Sequence, residues 1–268
     1  MLKVSRSGYH RWMHRSPGKR EQENRMLIEE IKKIHEESRQ TYGSPRIAAS
    51  LNEKGYACSR PRVARLMKKH HIWAKTKRKF KITTNSKHHY PISPNLVAQD
   101  FSTSATDRLW TSDITYIRTR QGWLYLTVVL DVFNRQIVGW SMSDRLTATQ
   151  TTIPALIAAY RRHHPASGLI FHSDRGVQYA CHEFRQYLKR YRMIQSMSGT
   201  GNCYDNAITE SFISTLKREK VYSERYETRE QAKVSIFEYI EVFYNRIRKH
   251  SSLGNKSPYE FIKITKAA

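Results

Sequence analysis

From Leu109 onward, the order of strand and helix patterns is the feature that most constrains the fold. Three successive segments are rich in Val, Ile, Thr, Tyr and Trp, which is typical of strands, and turn residues separate them. Helical and strand periodicities then alternate. The predicted strands cover residues 109–119, 123–133, 136–143, 169–172 and 193–197, and the predicted helices cover residues 147–163, 182–191, 205–220 and 229–250.

Three strands in a row, followed by helix, strand, helix, strand and helix, are the order of a ribonuclease H-like fold. The pattern therefore predicts an α/β core, a mixed five-stranded sheet flanked by helices. Thr147 and Asp205 are the expected N-caps of the first and third of these helices.

The first 90 residues differ from the rest in charge. They hold 23 basic and 7 acidic side chains, a balance of 23 − 7 = +16, within a chain of 268 residues whose formal net charge is +24. Between Glu53 and Asp100, twelve Lys or Arg occur without one acidic residue. Such a field favours nucleic acid as a partner, although a solvated basic face is the alternative interpretation.

Helical patterns in the same region resemble a helix-turn-helix. Apolar spacing predicts one helix over residues 21–38, a second that follows Ser44, the candidate N-cap, and ends at Gly55, and a third that begins near residue 60. We therefore predict an N-terminal all-α region with the helix-turn-helix at about residues 41–70. Its predicted DNA contacts are Arg62, Arg65, Lys68, Lys69, Lys77, Arg78 and Lys79.

Composition limits the cellular setting. No apolar stretch is long enough to span a membrane, and the basic N-terminus lacks the apolar core of a secretory signal. Three widely spaced cysteines argue against a disulfide scaffold or a zinc ribbon, so we expect a reducing cytoplasm. Little periodicity and two prolines predict a linker over residues 82–101. The linker separates a basic helical region, residues 1–81, from the ribonuclease H-like core, residues 102–268, which includes a C-terminal helix.

Three acidic residues suggest chemistry. Asp113 lies inside a strand pattern, Asp174 directly follows an apolar strand, and Glu210 falls in the first turns of a predicted helix. Singly, they can be a strand-edge Asp, a turn Asp and a solvated Glu. Together they favour a Mg²⁺ or Mn²⁺ site, because a carboxylate among apolar strands needs a partner or a metal. Two such ions can clamp a phosphodiester.

The sequence around these acids is similar to that of the OrfB-type transposases of bacterial insertion sequences, within the superfamily of DDE transposases and retroviral integrases. Asp174 and Glu210 are separated by 35 residues, as the family's second and third acids are, and Lys217 matches a basic residue seven positions after the Glu. Similar strings cover residues 42–47, 110–116, 172–179, 201–207, 244–254 and 257–258.

The resemblance implies that Asp113, Asp174 and Glu210 are the catalytic acids and hold two Mg²⁺ ions, or Mn²⁺ in their place. Water would cut DNA at the ends of the element, and the released 3′-hydroxyl would then attack another phosphodiester. Lys217, Asn206 and His172 are the DNA contacts expected near this site. The alternatives are a packed strand histidine for His172 and a helix cap for Asn206.

The resemblance also implies partners. Members of the family are often made as a fusion with an upstream frame that carries a leucine zipper, and no long heptad run occurs in this chain. We expect an upstream-frame partner, a homodimer or higher oligomer on element ends and target DNA, and a place at the bacterial nucleoid. Two other functions stay open: a ribonuclease H-like nuclease without strand transfer, and a catalytically silent DNA-binding regulator.

Overall fold

A computed structural model describes residues 5–14, 16, 18–75, 90–199 and 203–267 of the chain. The chain divides into two compact units, Met1–Lys75 and Thr76–Ala268. Among the residues that the structure describes, no helix combines the length and apolarity that a membrane crossing needs.

The first unit is all α-helical, as the sequence predicts. Its helices are α1 (Arg6–Met13), α2 (Lys19–Glu37), α3 (Ser44–Glu53) and α4 (Arg60–Lys69). The last three turn their apolar stripes toward one cluster, in which Ile31, Ile47 and Val63 are fully buried. Helix α1 was not predicted, although Tyr9, Trp12 and Met13 have helical spacing in the sequence, and every side chain described in it is exposed.

The turn between α3 and α4 has a specific local cause. Gly55 adopts a positive φ of 86°, a conformation that ends α3 and that other residues rarely adopt. Asn52 then clamps the turn, because its side chain accepts from the backbone N–H of Cys58 and donates to the Cys58 carbonyl. At the start of α3, Ser44 is the first helical residue and Gly43 the cap, one position before the predicted N-cap.

The second unit contains the predicted mixed five-stranded sheet. Its strands are β1 (Leu109–Thr119), β2 (Gly122–Asp131), β3 (Ile137–Ser143), β4 (Ile170–Ser173) and β5 (Ile194–Met197). They lie in the order β3-β2-β1-β4-β5. Strand β2 is antiparallel to β1 and β3, whereas β1, β4 and β5 run parallel. This is the strand order of a ribonuclease H-like core.

Helices cover both faces of the sheet. They are α5 (Thr152–His163), α6 (Val177–Ala180), α7 (His182–Arg190), α8 (Ala207–Glu219), α9 (Arg229–Glu238) and α10 (Pro258–Ala267). Trp110 of β1 packs with α5, α6 and α7 in one apolar cluster, and Ile117 of β1 packs with α8 and α9 in another. Even-numbered and odd-numbered residues of β1 point to opposite faces of the sheet. The odd-numbered positions therefore face α8.

Three predicted helix boundaries were wrong. Helix α5 begins at Thr152 because Thr147 instead starts a turn, in which its carbonyl accepts from the backbone N–H of Gln150 and Thr151. The predicted helix over residues 229–250 changes at Tyr239–Tyr244 into a π-helical segment. Asp205 is not the N-cap of α8, since Asn206 occupies that position.

Part of the predicted linker belongs to the second unit. Residues 82–89 lie outside the described residues. In contrast, Val97 is buried in a small apolar cluster with Leu109 and Val132, and Asn95 and Leu96 are hydrogen-bonded to the core. Residues 90–101 are therefore a strap on the second unit, and we refer to them as the connecting strap.

Candidate active site

Adjacent parallel strands place the first two acids side by side. Ser112 of β1 is in register with Ser173 of β4, and an aspartate follows each of them, Asp113 and Asp174. Neighbouring strands lie about 4.8 Å apart, so Asp113, which lies within β1, and Asp174, which directly follows β4, are neighbours.

Helix α8 brings the third acid to the same place. The Thr209 hydroxyl donates to the Thr111 hydroxyl at 2.6 Å, and both side chains are fully buried. Thr111 and Asp113 lie on the same face of β1, because their positions differ by two. Glu210 directly follows Thr209, so this hydrogen bond fixes the start of α8 against the strand that carries Asp113.

The three carboxylates disfavour one another's charge. Burial raises the pKa of Asp113 well above its ordinary value, and the negative charges of Asp174 and Glu210 raise it further. Burial and the charge of Asp174 also raise the pKa of Glu210. A group of acids that destabilise one another is an arrangement that a bound cation would relieve.

Lys217 lies near this group. It is half-buried on α8, where burial lowers the pKa of its ammonium and the negative charge of Asp113 opposes that effect. Seven positions separate Lys217 from Glu210, close to two helical turns, so both belong to one side of α8. The ammonium is the cation that the sequence predicts beside the acids, and its contact with DNA stays a prediction.

Gly176 permits the bend that follows β4. Its backbone N–H donates to Oδ1 of Asp174 at 2.9 Å, and a Cβ atom at this position would lie 2.9 Å from the same oxygen. The glycine φ of −59° is ordinary, so a larger residue would be limited by space rather than by backbone conformation, and the Asp174 carboxylate would have to shift to make room for it. The missing Cβ lets the chain turn tightly around the carboxylate of Asp174.

His172 occupies a different place from the one predicted. It is fully buried on β4, its Nδ1 is hydrogen-bonded to Ser196 at 2.8 Å and its Nε2 to Ser198 at 3.3 Å. Burial lowers the pKa of His172 to about 4, so the ring is neutral at pH 7. With both nitrogens bonded inside the sheet, His172 is a packed strand histidine and has no surface from which to reach DNA.

Asn206 is also buried. Its Nδ2 donates to the carbonyl of Ser112 at 3.2 Å, which ties the start of α8 to β1 one residue before Asp113. Its Oδ1 has no hydrogen-bond partner within the part of the chain that the structure describes. Asn206 therefore occupies the N-cap position of α8 and braces the helix against β1, although its side chain makes no capping hydrogen bond.

The predicted DNA contacts of the first unit separate into three groups. Arg65, Lys68 and Lys69 are exposed on α4. The guanidinium of Arg62 instead turns back onto α2, where it donates to Asn24 and Glu23, so the structure uses this charge internally. The remaining predicted contacts, Lys77, Arg78 and Lys79, lie outside the described residues.

The donor set fits a hard divalent cation. Three carboxylates without His or Cys are the ligands that Mg²⁺ and Mn²⁺ prefer. Within the described ranges, however, no three His, Cys, Asp or Glu side chains are already grouped closely enough to hold a metal. One oxygen of Asp113 accepts from the backbone N–H of Ile114, and one oxygen of Asp174 accepts from Gly176. Metal binding at these acids therefore requires side-chain rotation.

Sequence reasoning missed the residues that brace the acids. Thr111 and Thr209 appear as ordinary polar residues in a strand and a helix, and 98 positions separate them. The connecting strap contributes Asn95, which donates to Asp205 across 110 positions. The available signal was the polar side chain at a strand position that faces a helix, which is costly unless it is paired.

Known protein families match most of the chain. Two family models, both described as integrase core domain, match residues 104–203 and residues 191–258. A third model, described as an HTH-like domain, matches residues 21–80. The matches follow the two kinds of structure described above, an α/β core and a helical N-terminal region.

Curated relatives match the chain over nearly its full length. The insertion element IS600 uncharacterized 31 kDa protein of Shigella sonnei is 46% identical over 258 residues, which cover 96% of this chain and 94% of that protein. The transposase InsF for insertion sequence IS3A of Escherichia coli strain K12 is 40% identical over 263 residues, which cover 97% and 91%.

A solved structure with a similar fold is the simian T-cell lymphotropic virus intasome in complex with the PP2A regulatory subunit B56 gamma. Its similarity extends over 86% of this chain and 73% of that chain, with 15% sequence identity and a TM-score of 0.49.

Proposed function

The chain belongs to the OrfB-type insertion-sequence transposases, a family of polynucleotidyl transferases with an integrase core, and from that premise we propose that Asp113, Asp174 and Glu210 are its catalytic acids. They cut DNA at the ends of the element and transfer the released strand. The observation that carries this proposal is that β1, β4 and α8 bring three carboxylates near one another, where the negative charge of Asp174 raises the pKa of both Asp113 and Glu210.

The cofactor that this donor set supports best is a pair of Mg²⁺ ions, with Mn²⁺ as a substitute. When bound, such ions neutralise charge on the attacked phosphodiester and activate the attacking oxygen. Asp113, whose pKa both other acids raise, would be a ligand shared by the two ions. Asp174 and Glu210 each hold one.

Other residues of the chain position the substrate. The ammonium of Lys217 is near Asp113 and can bind the phosphate that follows the cut. The buried Oδ1 of Asn206 has no partner among the described residues, and it would reach a donor on DNA or on water only after a local rearrangement of the start of α8. Arg65, Lys68 and Lys69 on α4 supply exposed positive charge for the DNA backbone, together with the basic run at residues 77–79.

Assembly follows from the reaction. Joining two ends of one element requires both ends to be held together, so we propose a homodimer or higher oligomer on the element ends. An upstream-frame partner that reads those ends belongs to the same proposal, as does a location at the bacterial nucleoid, where the DNA is.

The test uses the full chain, labelled DNA that carries the ends flanking its gene, and either Mg²⁺ or Ca²⁺. Wild type is compared with Glu210→Gln and with Glu230→Gln, which removes an exposed carboxylate paired with Lys233 on α9. Products are separated on a denaturing gel. Joined strands that require Mg²⁺ and Glu210, but not Glu230, would support the proposal.

Two other outcomes would replace it. Nicked DNA that never becomes joined, even with the upstream-frame product added, would favour a nuclease that only hydrolyses. Binding without cleavage in either metal would favour a DNA-binding regulator.

A further inference from the structure

The connecting strap contacts two segments that adjoin the elements carrying the second and third acids: β5, which pairs with β4, and the residues that directly precede α8. Two consecutive residues make these contacts. Nδ2 of Asn95 donates to Oδ2 of Asp205 at 2.9 Å, just before α8, and the backbone N–H of Leu96 donates to Oγ of Ser196 at 2.9 Å on β5. Both contacts involve buried partners, because Asp205 is 1% exposed and Ser196 is fully buried.

The contact at Asp205 leads to Glu210. The same Oδ2 of Asp205 accepts from the backbone N–H of Gly199, so this carboxylate joins the strap to the end of β5. Asn206, the next residue, is the brace between α8 and β1. Only four residues separate Asp205 from Glu210, which is about one helical turn. A displacement of Asp205 therefore changes where α8 begins and where Glu210 lies.

The contact at Ser196 leads to Asp174. Oγ of Ser196 is also hydrogen-bonded to Nδ1 of His172 at 2.8 Å, and His172 precedes Asp174 by two positions on β4. The ring of His172 is fixed on its other side by Ser198. The strap, β5 and β4 thus form one buried polar chain that ends beside the second acid.

Asn95 has the hydrogen-bonding groups that this task needs. Its Oδ1 accepts from the backbone N–H of Val97 and of Ala98, which folds the strap into a turn. Its Nδ2 is thereby left to donate to Asp205. An aspartate at this position would keep the turn, because a carboxylate also accepts two N–H bonds, but it would place a negative charge against Asp205.

We infer that Asn95 is a positioning residue of the transposition reaction, through which the connecting strap fixes the start of α8 and with it Glu210. The strap is the stretch of chain that leads from the helix-turn-helix region to the core. The active site is consequently incomplete without a segment that its sequence marks as a linker. The catalytic part of this inference rests on the proposed function, whereas the structural part does not.

The test compares wild type, Asn95→Asp and Asp100→Asn in the full chain. Asp100→Asn is the matched control, because Asp100 is an exposed residue of the same strap that makes a similar local turn with Ser102. Hydrogen–deuterium exchange is measured first, without DNA or metal. We expect faster exchange at residues 207–211 in Asn95→Asp, no change there in Asp100→Asn, and an unfolding midpoint close to that of wild type.

Cleavage is measured next, under single-turnover conditions and at several Mg²⁺ concentrations. We expect Asn95→Asp to slow cleavage about tenfold or more, since small misplacements of a reacting group are costly. Its half-maximal rate should require more Mg²⁺, with DNA affinity unchanged. If Asn95→Asp only destabilised the fold, its unfolding midpoint would fall. A higher Mg²⁺ requirement together with an unchanged unfolding midpoint therefore indicates a misplaced active-site group.

A double variant tests the contact itself. Asn95→Asp combined with Asp205→Asn restores attraction between the two positions, so we expect part of the lost rate and of the lost protection at residues 207–211 to return. Unchanged exchange in Asn95→Asp, or a double variant no better than the single one, would overturn the inference. If wild type does not cut DNA, the proposed function fails, and the exchange experiment still decides the role of Asn95.

Discussion

The two ends of α8 contain the same kind of side chain in opposite surroundings. Glu210, in its first turn, lies near Asp174, and its pKa is raised by burial and by that negative charge. Glu219, at its last residue, is 9% exposed and accepts two hydrogen bonds from Arg248, both at 2.8 Å. Tyr239 donates a third, at 2.7 Å.

The environment, not the residue type, decides what each carboxylate does. Burial disfavours the charge of Arg248, but its hydrogen bonds and ion pair with Glu219 outweigh this, so the pKa of the guanidinium is raised. The negative charge of Glu219 is thus balanced by Arg248 within the protein, and the role of Glu219 is structural. The acids at the other end repel one another and are available to a cation, which is what metal-dependent chemistry requires.

The largest effect that we expect is on activity at the first end of the helix. Glu210→Gln removes a proposed metal ligand and should lower the single-turnover rate of DNA cleavage by about a thousandfold or more. It also removes repulsion with Asp174, so the free energy of unfolding should not fall. Urea denaturation and cleavage kinetics on one preparation check both. A variant that cuts normally would remove Glu210 from the catalytic group.

At the second end, the expected effect is on stability. Glu219→Gln leaves the Arg248 guanidinium buried without its counter-charge and should lower the free energy of unfolding by about 3–5 kcal/mol. Urea denaturation measures this. The combined change Glu219→Gln and Arg248→Met removes the orphaned charge, so it should recover much of the loss. A cost of the single change below about 1 kcal/mol, as for a surface pair, would contradict the assigned role.

Asp131 is a buried carboxylate of a third kind, bonded to backbone N–H groups rather than to a cation. Burial raises its pKa to about 6, against an ordinary 3.8, although the N–H groups of Asp107 and Phe133 oppose this. Between these pH values the folded state keeps a proton that the unfolded state has released. The stability contributed by Asp131 is therefore present at low pH and is lost as pH rises to about 6.

Asp131→Asn should remove this loss, which amounts to roughly 2–3 kcal/mol across the window. The free energy of unfolding, measured from pH 4 to pH 7, should decline less with pH in Asp131→Asn than in wild type. Parallel pH profiles for the two proteins would show that Asp131 does not titrate as described.

The smallest expected effect comes from the bond that joins α8 to β1. Thr209→Val leaves the buried hydroxyl of Thr111 without its donor and should lower the free energy of unfolding by about 1–2 kcal/mol. Cleavage should slow as well, since Glu210 follows Thr209. Thr209→Ser keeps the hydroxyl and should behave like wild type in both assays. If serine and valine have equal effects, the methyl group and not the hydrogen bond is what matters.

The sequence predicted the acids of the candidate site, but it did not predict the buried partners of the other polar groups. The strand patterns located β1 and β4, and with them Asp113 and Asp174, because an acid at a strand position that should be apolar is visible locally. The roles of Glu219 and Arg248 were not visible, since 29 positions separate them and each reads as an ordinary charged helix residue.

His172 and Asp205 show the same limit. The sequence left two interpretations open for His172, a DNA contact and a packed strand histidine, and it predicted a helix cap for Asp205. The structure instead buries both of them, and their partners Ser196 and Asn95 belong to distant segments. Local periodicity reports which face a residue occupies, but it contains no information on the partner that a buried polar group meets across the fold.

The most direct test of whether Asp113, Asp174 and Glu210 form a metal site is calorimetry. Mn²⁺ is titrated into the full chain bound to element-end DNA. Wild type, Asp113→Asn and Glu230→Gln are compared. We expect saturable binding of about two Mn²⁺ ions per chain in wild type and in Glu230→Gln, and loss of this binding in Asp113→Asn. Equal Mn²⁺ binding by wild type and Asp113→Asn would contradict this expectation.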